Sequence, residues 1–447
     1  MSTATLELEK PSLKKWIAER LGVPVPELTR EALEHHQLKA LHETLAWARE
    51  RSSFYAQRLA PLPCNPLPSL REICHLPLTT PADLARQSHG FLCVPQDEIS
   101  RIVTLSSSGT GGAPKRVFFT AADQKLTLDF FAHGVAGMAS RGDRMLIALP
   151  GEREGSVGYQ LAKGISRAGV IPIAHGLSLD PGETLAHMEH EKATCIIGLP
   201  VQMLALARRD TALADSVFRR LRCVVLCSDH VSESIVHALR LRFDGEVFEH
   251  YGSTEMGLGG GVDCEAHAGY HLREADLYFE IVSPETGEPA PDGEIGEVVF
   301  TTLHRRGMPL IRYRTGDLSR LLPGPCSCGS ILRRLEKVRN RIDGNVSLGT
   351  SGTIGISTLD DALFAVPGLL DFSATLFQGA PPLLQLAVHA PRIAVPNFNT
   401  TILDALHTIP AIRDCSACGE LELIVVQTPK ELTHPGAKRK IEVHAAR

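Results

Sequence analysis

Residues 101–116 read RIVTLSSSGTGGAPKR, an apolar-alternating run that stops in small residues and ends in proline and two cations. The opening of this stretch predicts a strand and the remainder a loop. Small residues let backbone N–H groups converge on an anion. The hydroxyls of Ser107, Ser108 and Thr110 add donors, and Lys115 adds charge. Phosphate is the ligand that this chemistry fits. The P-loop pattern G-x-x-x-x-G-K-[ST] is excluded, because counting from Gly109 puts Pro114 at the second glycine and Arg116 at the hydroxyl position. A Ser/Gly stretch by itself also reads as a plain surface loop, so the decision rests on what surrounds it.

Downstream, RMLIALP, VIPIAH, ATCIIGLP and RCVVLCS are short apolar runs separated by helical segments. That alternation predicts an α/β fold with a mostly parallel sheet covered by helices. From about Gly269 the texture changes: LYFEIVSPETGEPAPDGEIGEVVFTTL gives strand, turn-rich loop, strand, a β-rich subdomain. After Asp343 a small α+β region is expected, with helices near TLDDALFAV and TTILDALHTI and strands at LLQLAVHA and LELIVVQ. Upstream, residues 31–55 predict one amphipathic helix carrying His35, His36 and His42. Adjacent histidines cannot share a helix face, so these are read as surface residues.

The 447 residues are 43% hydrophobic and 22% charged, the composition of a globular protein of two or three domains. A formal net charge of −5 gives no global attraction to nucleic acid. No apolar run reaches membrane-spanning length, and MSTATLELEKPSLKKW lacks the apolar core of a secretory signal, so a cytoplasmic location is expected. Eleven scattered cysteines do not suggest a disulfide framework in such a chain.

Two further segments suit a nucleotide. EHYGSTEMGLGGG, residues 249–261, runs from a strand into a hydroxyl beside a carboxylate. Thr254 can bond a phosphate while Glu255 holds Mg²⁺ bound to the same phosphate, one or two carboxylates being enough for that ion. Tyr251 offers a flat face to a base. The alternative is a strand-end turn. PLIRYRTGDLSRLL, residues 309–322, places Asp317 after a strand and a glycine. A carboxylate there can accept both ribose hydroxyls, or it can pair with Arg312 or Arg314.

Cys264, His267 and His271 lie in DCEAHAGYH, and Cys326 and Cys328 in PCSCGS. Cys-x-Cys with a distant Cys and His can close a tetrahedral zinc site, structural because four protein ligands leave no open position. Cys415 and Cys418 form a C-x-x-C pair without other redox features and stay unassigned.

In this order, LPLTTPADL, SSGTGGAPK, YGSTE, PLIRYRTGDLSRLLPGPCSCG and NRID resemble motifs of the adenylate-forming superfamily of AMP-dependent acyl-CoA synthetases, in its phenylacetate–CoA ligase-like branch. The resemblance covers nearly the whole chain. It implies a large N-terminal adenylation domain, residues 1–342, and a small mobile α+β C-terminal domain, residues 343–447. It implies an ATP-dependent carboxylate–CoA ligase, forming an acyl-adenylate and then a thioester, with an aryl or arylalkyl acid. A non-CoA acceptor and a non-catalytic nucleotide-binding homologue are the alternatives. Carried over, Ser107, Thr110 and Lys115 would hold the β- and γ-phosphates and Tyr251 would stack on adenine. Thr254 would touch the α-phosphate and Glu255 would bind Mg²⁺. Asp317 and Arg341 would hold the ribose, with Asp343 as hinge. The branch's pattern also selects His271 over His267 beside Cys264, Cys326 and Cys328 as structural Zn²⁺ ligands. The expected partners are a small carboxylic acid, ATP and coenzyme A, without nucleic acid or membrane; a homodimer stays open.

Departures from the family pattern are specific. Gly111 replaces a threonine, LCSDH replaces a Gly/Ala-rich adenine segment, and Asn340 replaces the glycine before Arg341. Near the end, HPGAKRKIEV puts Gly436 where the catalytic lysine belongs, leaving Lys438 or Lys440 to take that part. For the acid pocket, Phe130, Phe131 and Tyr159 are candidates as lining or as core.

Overall fold

The computed structural model describes residues 12–62, 66–105, 114–178, 180–349, 352–390, 397–428 and 439–445. Ser107 and Thr110 of the small-residue loop, and Lys438 and Gly436 near the end, lie outside the described residues.

The small-residue stretch is flanked by two paired strands, β1 (Ile99–Leu105) and β2 (Lys115–Thr120). The two are antiparallel, with Leu105 opposite Lys115. Thr120 and Asp123 form a capping box, which launches the helix Ala121–His133 straight from β2.

The predicted apolar runs are strands: β3 (Arg144–Ala148), β4 (Ile171–Ala174), β5 (Cys195–Gly198), β6 (Cys223–Leu226) and β7 (Glu246–Tyr251). They pair in parallel, with Leu146, Ile196, Val224 and Val247 in register. Every residue of β5 and β6 is buried, as continuous apolar strands must be when helices cover both faces. Beyond β7 the sheet turns antiparallel through β8 (Gly261–Val262) and β9 (Tyr270–Leu272).

The β-rich part contains β10 (Leu277–Val282), β11 (Gly296–Thr302) and β12 (Tyr313–Ser319), then β13 (Leu321–Leu322), β14 (Arg334–Leu335) and β15 (Asn340–Arg341). Four of these make a sheet in the order β10-β11-β12-β15, while β13 and β14 extend the large sheet to nine strands, β13-β14-β9-β8-β7-β6-β5-β3-β4. The two sheets meet where the Tyr251 hydroxyl of β7 reaches Asp317 of β12.

The last hundred residues hold a small hairpin, β16 (Val346–Leu348) with β17 (Gly352–Ile354). They continue into β18 (Asp371–Phe377), β19 (Leu383–His389), β20 (Glu422–Gln427) and β21 (Ile441–His444). The sheet order is β20-β19-β18-β21, backed by helices Ile356–Leu363, Phe398–His407 and Pro410–Ala417. One apolar cluster joins Leu239 and Val236 to Leu359, Phe364 and Leu384. Polar contacts reinforce it: Arg208 Nη2 donates to the Phe364 carbonyl at 2.6 Å, and Ser234 Oγ to the Asp361 carbonyl at 3.0 Å.

The single helix expected over residues 31–55 is two, Arg30–Arg51 and Ser53–Arg58. Ser52 ends the first and caps the second, its hydroxyl accepting from the Tyr55 amide at 3.2 Å. Two of its three histidines correct the surface reading. His35 is exposed, but His42 Nε2 sits 2.9 Å from the Leu67 carbonyl, and His36 and His304 meet through Nε2 atoms at 3.3 Å.

Candidate active site

The segment after β7 folds back on itself. A Cβ on Gly252 would stand 2.6 Å from Gly259 Cα, so the crossing needs glycine on the near side. This return turns the Glu255 side chain inward, where it is 6% exposed. Lys115 Nζ reaches Glu255 Oε1 at 2.7 Å, and the Tyr313 hydroxyl donates to the same oxygen at 3.2 Å. Burial pushes the Glu255 carboxyl up, but the Lys115 ammonium, a backbone hydrogen bond and the Tyr313 hydroxyl together more than offset it and the net shift is downward. Burial beside Glu255 drives the Tyr313 phenol well above its ordinary value, so it stays a donor. Thr254 is half-buried next to Glu255, its carbonyl accepting from the Gly257 amide at 2.9 Å.

Asp317 lies on β12 opposite Arg341 of β15. It pairs neither with Arg312, which binds Glu280, nor with Arg314, which binds Glu297 at 2.6 Å. Instead Oδ1 accepts from Arg341 and Oδ2 accepts from the Tyr251 hydroxyl at 2.9 Å. Arg341 Nη2 also donates to the Thr315 carbonyl at 2.9 Å. Burial, then the Asp317 charge, raises the Tyr251 phenol well above its ordinary value. Tyr251 thus stands between Asp317 at its tip and a stacked Tyr270 ring at its side, the centroids 5.7 Å apart and the planes at 22°.

Lys115, Glu255, Tyr313, Tyr251, Asp317 and Arg341 thereby converge from β2, the end of β7, and β12 and β15. The arrangement supplies a cation and a carboxylate at the mouth of the β1–β2 loop, and a carboxylate–guanidinium pair beside an aromatic face. Such a set can neutralise phosphate oxygens and orient a sugar. Tyr313 was missed as a site residue. It lies inside the quoted segment, but the chain bulges around Gly316 (φ 76°), and alternation cannot tell which face Tyr313 takes.

A second cluster sits at the other end of β8 and β9. One ligand atom from each of Cys264, His271, Cys326 and Cys328 lies within 4.8 Å of every other. Cys264 and Cys326 sulfurs are 3.7 Å apart, and Cys328 Sγ is 3.2 Å from His271 Nε2. His267 is not part of it, its ring bonding Asp263 at 2.9 Å and Glu246 at 2.8 Å. Cys415 is buried, its thiol 3.3 Å from the Leu348 carbonyl, while Cys418 is exposed at the helix end.

Phe130 and Phe131 belong to the core, at 0% and 2% exposure. Tyr159 is half-buried, its hydroxyl donating to Glu154 at 3.1 Å. Among the described residues no helix is long and apolar enough to cross a membrane.

The AMP-binding enzyme family profile matches residues 81–304. The chain is 31% identical over 330 residues to a phenylacetate–coenzyme A ligase of Pseudomonas putida, covering 72% of this chain and 73% of that one. It is 31% identical over 324 residues to a phenylacetate–coenzyme A ligase of Thermus thermophilus, covering 71% and 72%. Among solved structures, a 2-hydroxyisobutyryl-CoA ligase in the postadenylation state with 2-HIB-AMP superposes with a TM-score of 0.77 at 20% identity, over 93% of this chain and 90% of that one.

Proposed function

This chain belongs to the AMP-binding enzyme family, in its phenylacetate–CoA ligase-like branch, and as an AMP-forming acid–CoA ligase we propose that it activates an aryl or arylalkyl acid at the constellation around Glu255. The substrate carboxylate attacks the α-phosphate of ATP, the α–β phosphoanhydride bond breaks, and acyl-adenylate and pyrophosphate form. The coenzyme A thiol then attacks the acyl carbon and AMP leaves.

In this reading the β1–β2 loop with Ser107, Thr110 and Lys115 holds the β- and γ-phosphates. Thr254 bonds the α-phosphate, Tyr251 stacks on adenine, and Asp317 with Arg341 holds the ribose. Lys438 supplies the cation of the C-terminal domain, which begins after residue 342 and turns at Asp343. The contact that supports the reading most is Lys115 with Glu255, 2.7 Å apart. It puts a phosphate-neutralising cation against the carboxylate that fits Mg²⁺, an ion that takes one or two carboxylates and phosphate oxygens. When bound, that ion withdraws charge from the leaving pyrophosphate. The protein's own part is to hold the reactants in line and to keep Glu255 ionised.

The cysteine–histidine cluster fits a structural Zn²⁺. Tetrahedral Zn–S bonds of about 2.3 Å give sulfur–sulfur edges of about 3.7 Å, the separation of Cys264 and Cys326. Three thiols and an imidazole complete the coordination, so the ion would hold strands together without touching substrate.

The test is pyrophosphate release with ATP, Mg²⁺ and a panel of aryl and aliphatic acids, with and without coenzyme A. Release that depends on an aryl acid and accelerates with coenzyme A is expected. Release from aliphatic acids alone overturns the substrate class, and indifference to coenzyme A points to another acceptor. Metal analysis of the purified protein checks for one zinc per chain.

A further inference from the structure

The zinc cluster and the nucleotide face are joined by one residue that neither role claims. Tyr270 immediately precedes His271 on β9. Its ring stacks on Tyr251, and its hydroxyl donates to Glu249 Oε2 at 3.0 Å. It is 5% exposed. Tyr251 and Tyr270 belong to β7 and β9, with β8 between them. They meet only because β8 carries glycine there: a Cβ on Gly261 would stand 3.0 Å from Tyr270 Cβ. Glu249 is bound in turn by Lys337, which also lies 3.7 Å from Asp263, the neighbour of Cys264.

We propose that Tyr270 is a positioning residue through which the metal cluster sets the adenine-stacking face of Tyr251. The proposal rests on the zinc and adenine assignments above. The metal ties Cys264 and His271 to the Cys326–Cys328 loop, and so fixes both ends of the segment that bears Tyr270. A fixed Tyr270 leaves the Tyr251 ring one orientation, with its hydroxyl on Asp317. Without the metal the segment is held only by the two-residue pairings of β9 with β14 and β8 and of β8 with β7, and the Tyr251 ring gains freedom that nucleotide binding must remove. Metal loss or thiol oxidation therefore weakens nucleotide binding without touching the reacting atoms.

The experiment measures zinc per chain first, then AMP affinity by calorimetry, for the full chain and two variants. Tyr270→Leu, with zinc retained, is expected to weaken AMP binding roughly three- to tenfold, the factor an aromatic pair contributes. KM for ATP rises by the same factor, while kcat stays within about twofold because the reacting groups are unchanged. Tyr270→Phe keeps the ring and restores binding to within about twofold. Removing zinc from the wild type with dipicolinate weakens AMP binding as Tyr270→Leu does, and removing it from Tyr270→Leu weakens it no further. Zinc-loaded Tyr270→Leu that binds AMP like the wild type overturns the proposal. So does an equal effect of zinc removal in both proteins. If removal unfolds the chain, the zinc-loaded variants decide alone. A folded wild type without zinc overturns the metal assignment and the coupling together, and the metal analysis identifies that case.

Discussion

Lys115 and Glu255 lie 140 residues apart in the chain and touch through a 2.7 Å ion pair, tying the start of β2 to the segment that follows β7. Because Glu255 is buried, its charge depends on this partner.

Glu255→Gln should lower Mg²⁺-dependent pyrophosphate release by about two to three orders of magnitude while the protein stays folded, the scale of losing one charge-stabilising group. Lys115→Met adds a pH signature. The Glu255 carboxyl is depressed in the folded protein, so the stability it contributes is present above its unfolded value and is lost as pH falls through the folded one. Without Lys115 the chief cause that opposes burial is gone and the carboxyl rises. The acid limb of the pyrophosphate-release profile should then move to higher pH, and an unmoved limb would sink the pairing.

Asp317→Asn removes the charge and one of the two oxygens that accept separately from Arg341 and Tyr251. Hydrogen bonds to charged groups are worth about 1.5–3 kcal/mol, so KM for ATP should rise about ten- to hundredfold. KM for the acid should stay put. Equal changes in both constants would show that Asp317 serves the fold and not the ribose.

Phe130 separates core from pocket. Its ring fills the space beside Gly259, where a Cβ would lie 2.0 Å away, and Arg273 stacks 5.0 Å from its centroid. Phe130→Ala should cost about 3–5 kcal/mol of stability, read by denaturant unfolding, with the ranking of acids unchanged. A changed ranking at unchanged stability would return Phe130 to the substrate pocket.

Asp360 should make the stability of the C-terminal part depend on pH. Burial raises its carboxyl from 3.8 to about 7, with Arg439 Nη1 at 2.8 Å pulling the other way. Asp371, also facing Arg439, rises to about 6 for the same reason. Between their ordinary and raised values the folded chain binds more protons than the unfolded one, so stability falls as pH rises through that window. Asp360→Asn should flatten the fall. The check is Tm at pH 5 and pH 8, and a variant whose Tm falls as steeply as the wild type's contradicts the assignment.

The sequence by itself determined the parallel layer, because buried strands with helices on both faces must be continuously apolar, as in ATCIIGLP and RCVVLCS. It also carries the ordered motifs that bear Lys115, Glu255 and Asp317, residue types whose chemistry suits phosphate and ribose, while Arg341 came with the family resemblance. Elements without such a signature escaped. In β18 serine and threonine face outward, so DFSATLF lacks an apolar run, and β21 shows only Ile441 buried. The tertiary structure alone decided the pairings. Asp317 turned out to be engaged by Arg341 and Tyr251, and not by its chain neighbours Arg312 and Arg314. Tyr313 and Tyr270 acquired their places only once β12 bulged and β8 presented Gly261. The physical reason is common to all of them: residue type sets what a side chain can do, while its partner is set by strand order and register, which bring together segments that the sequence lists far apart.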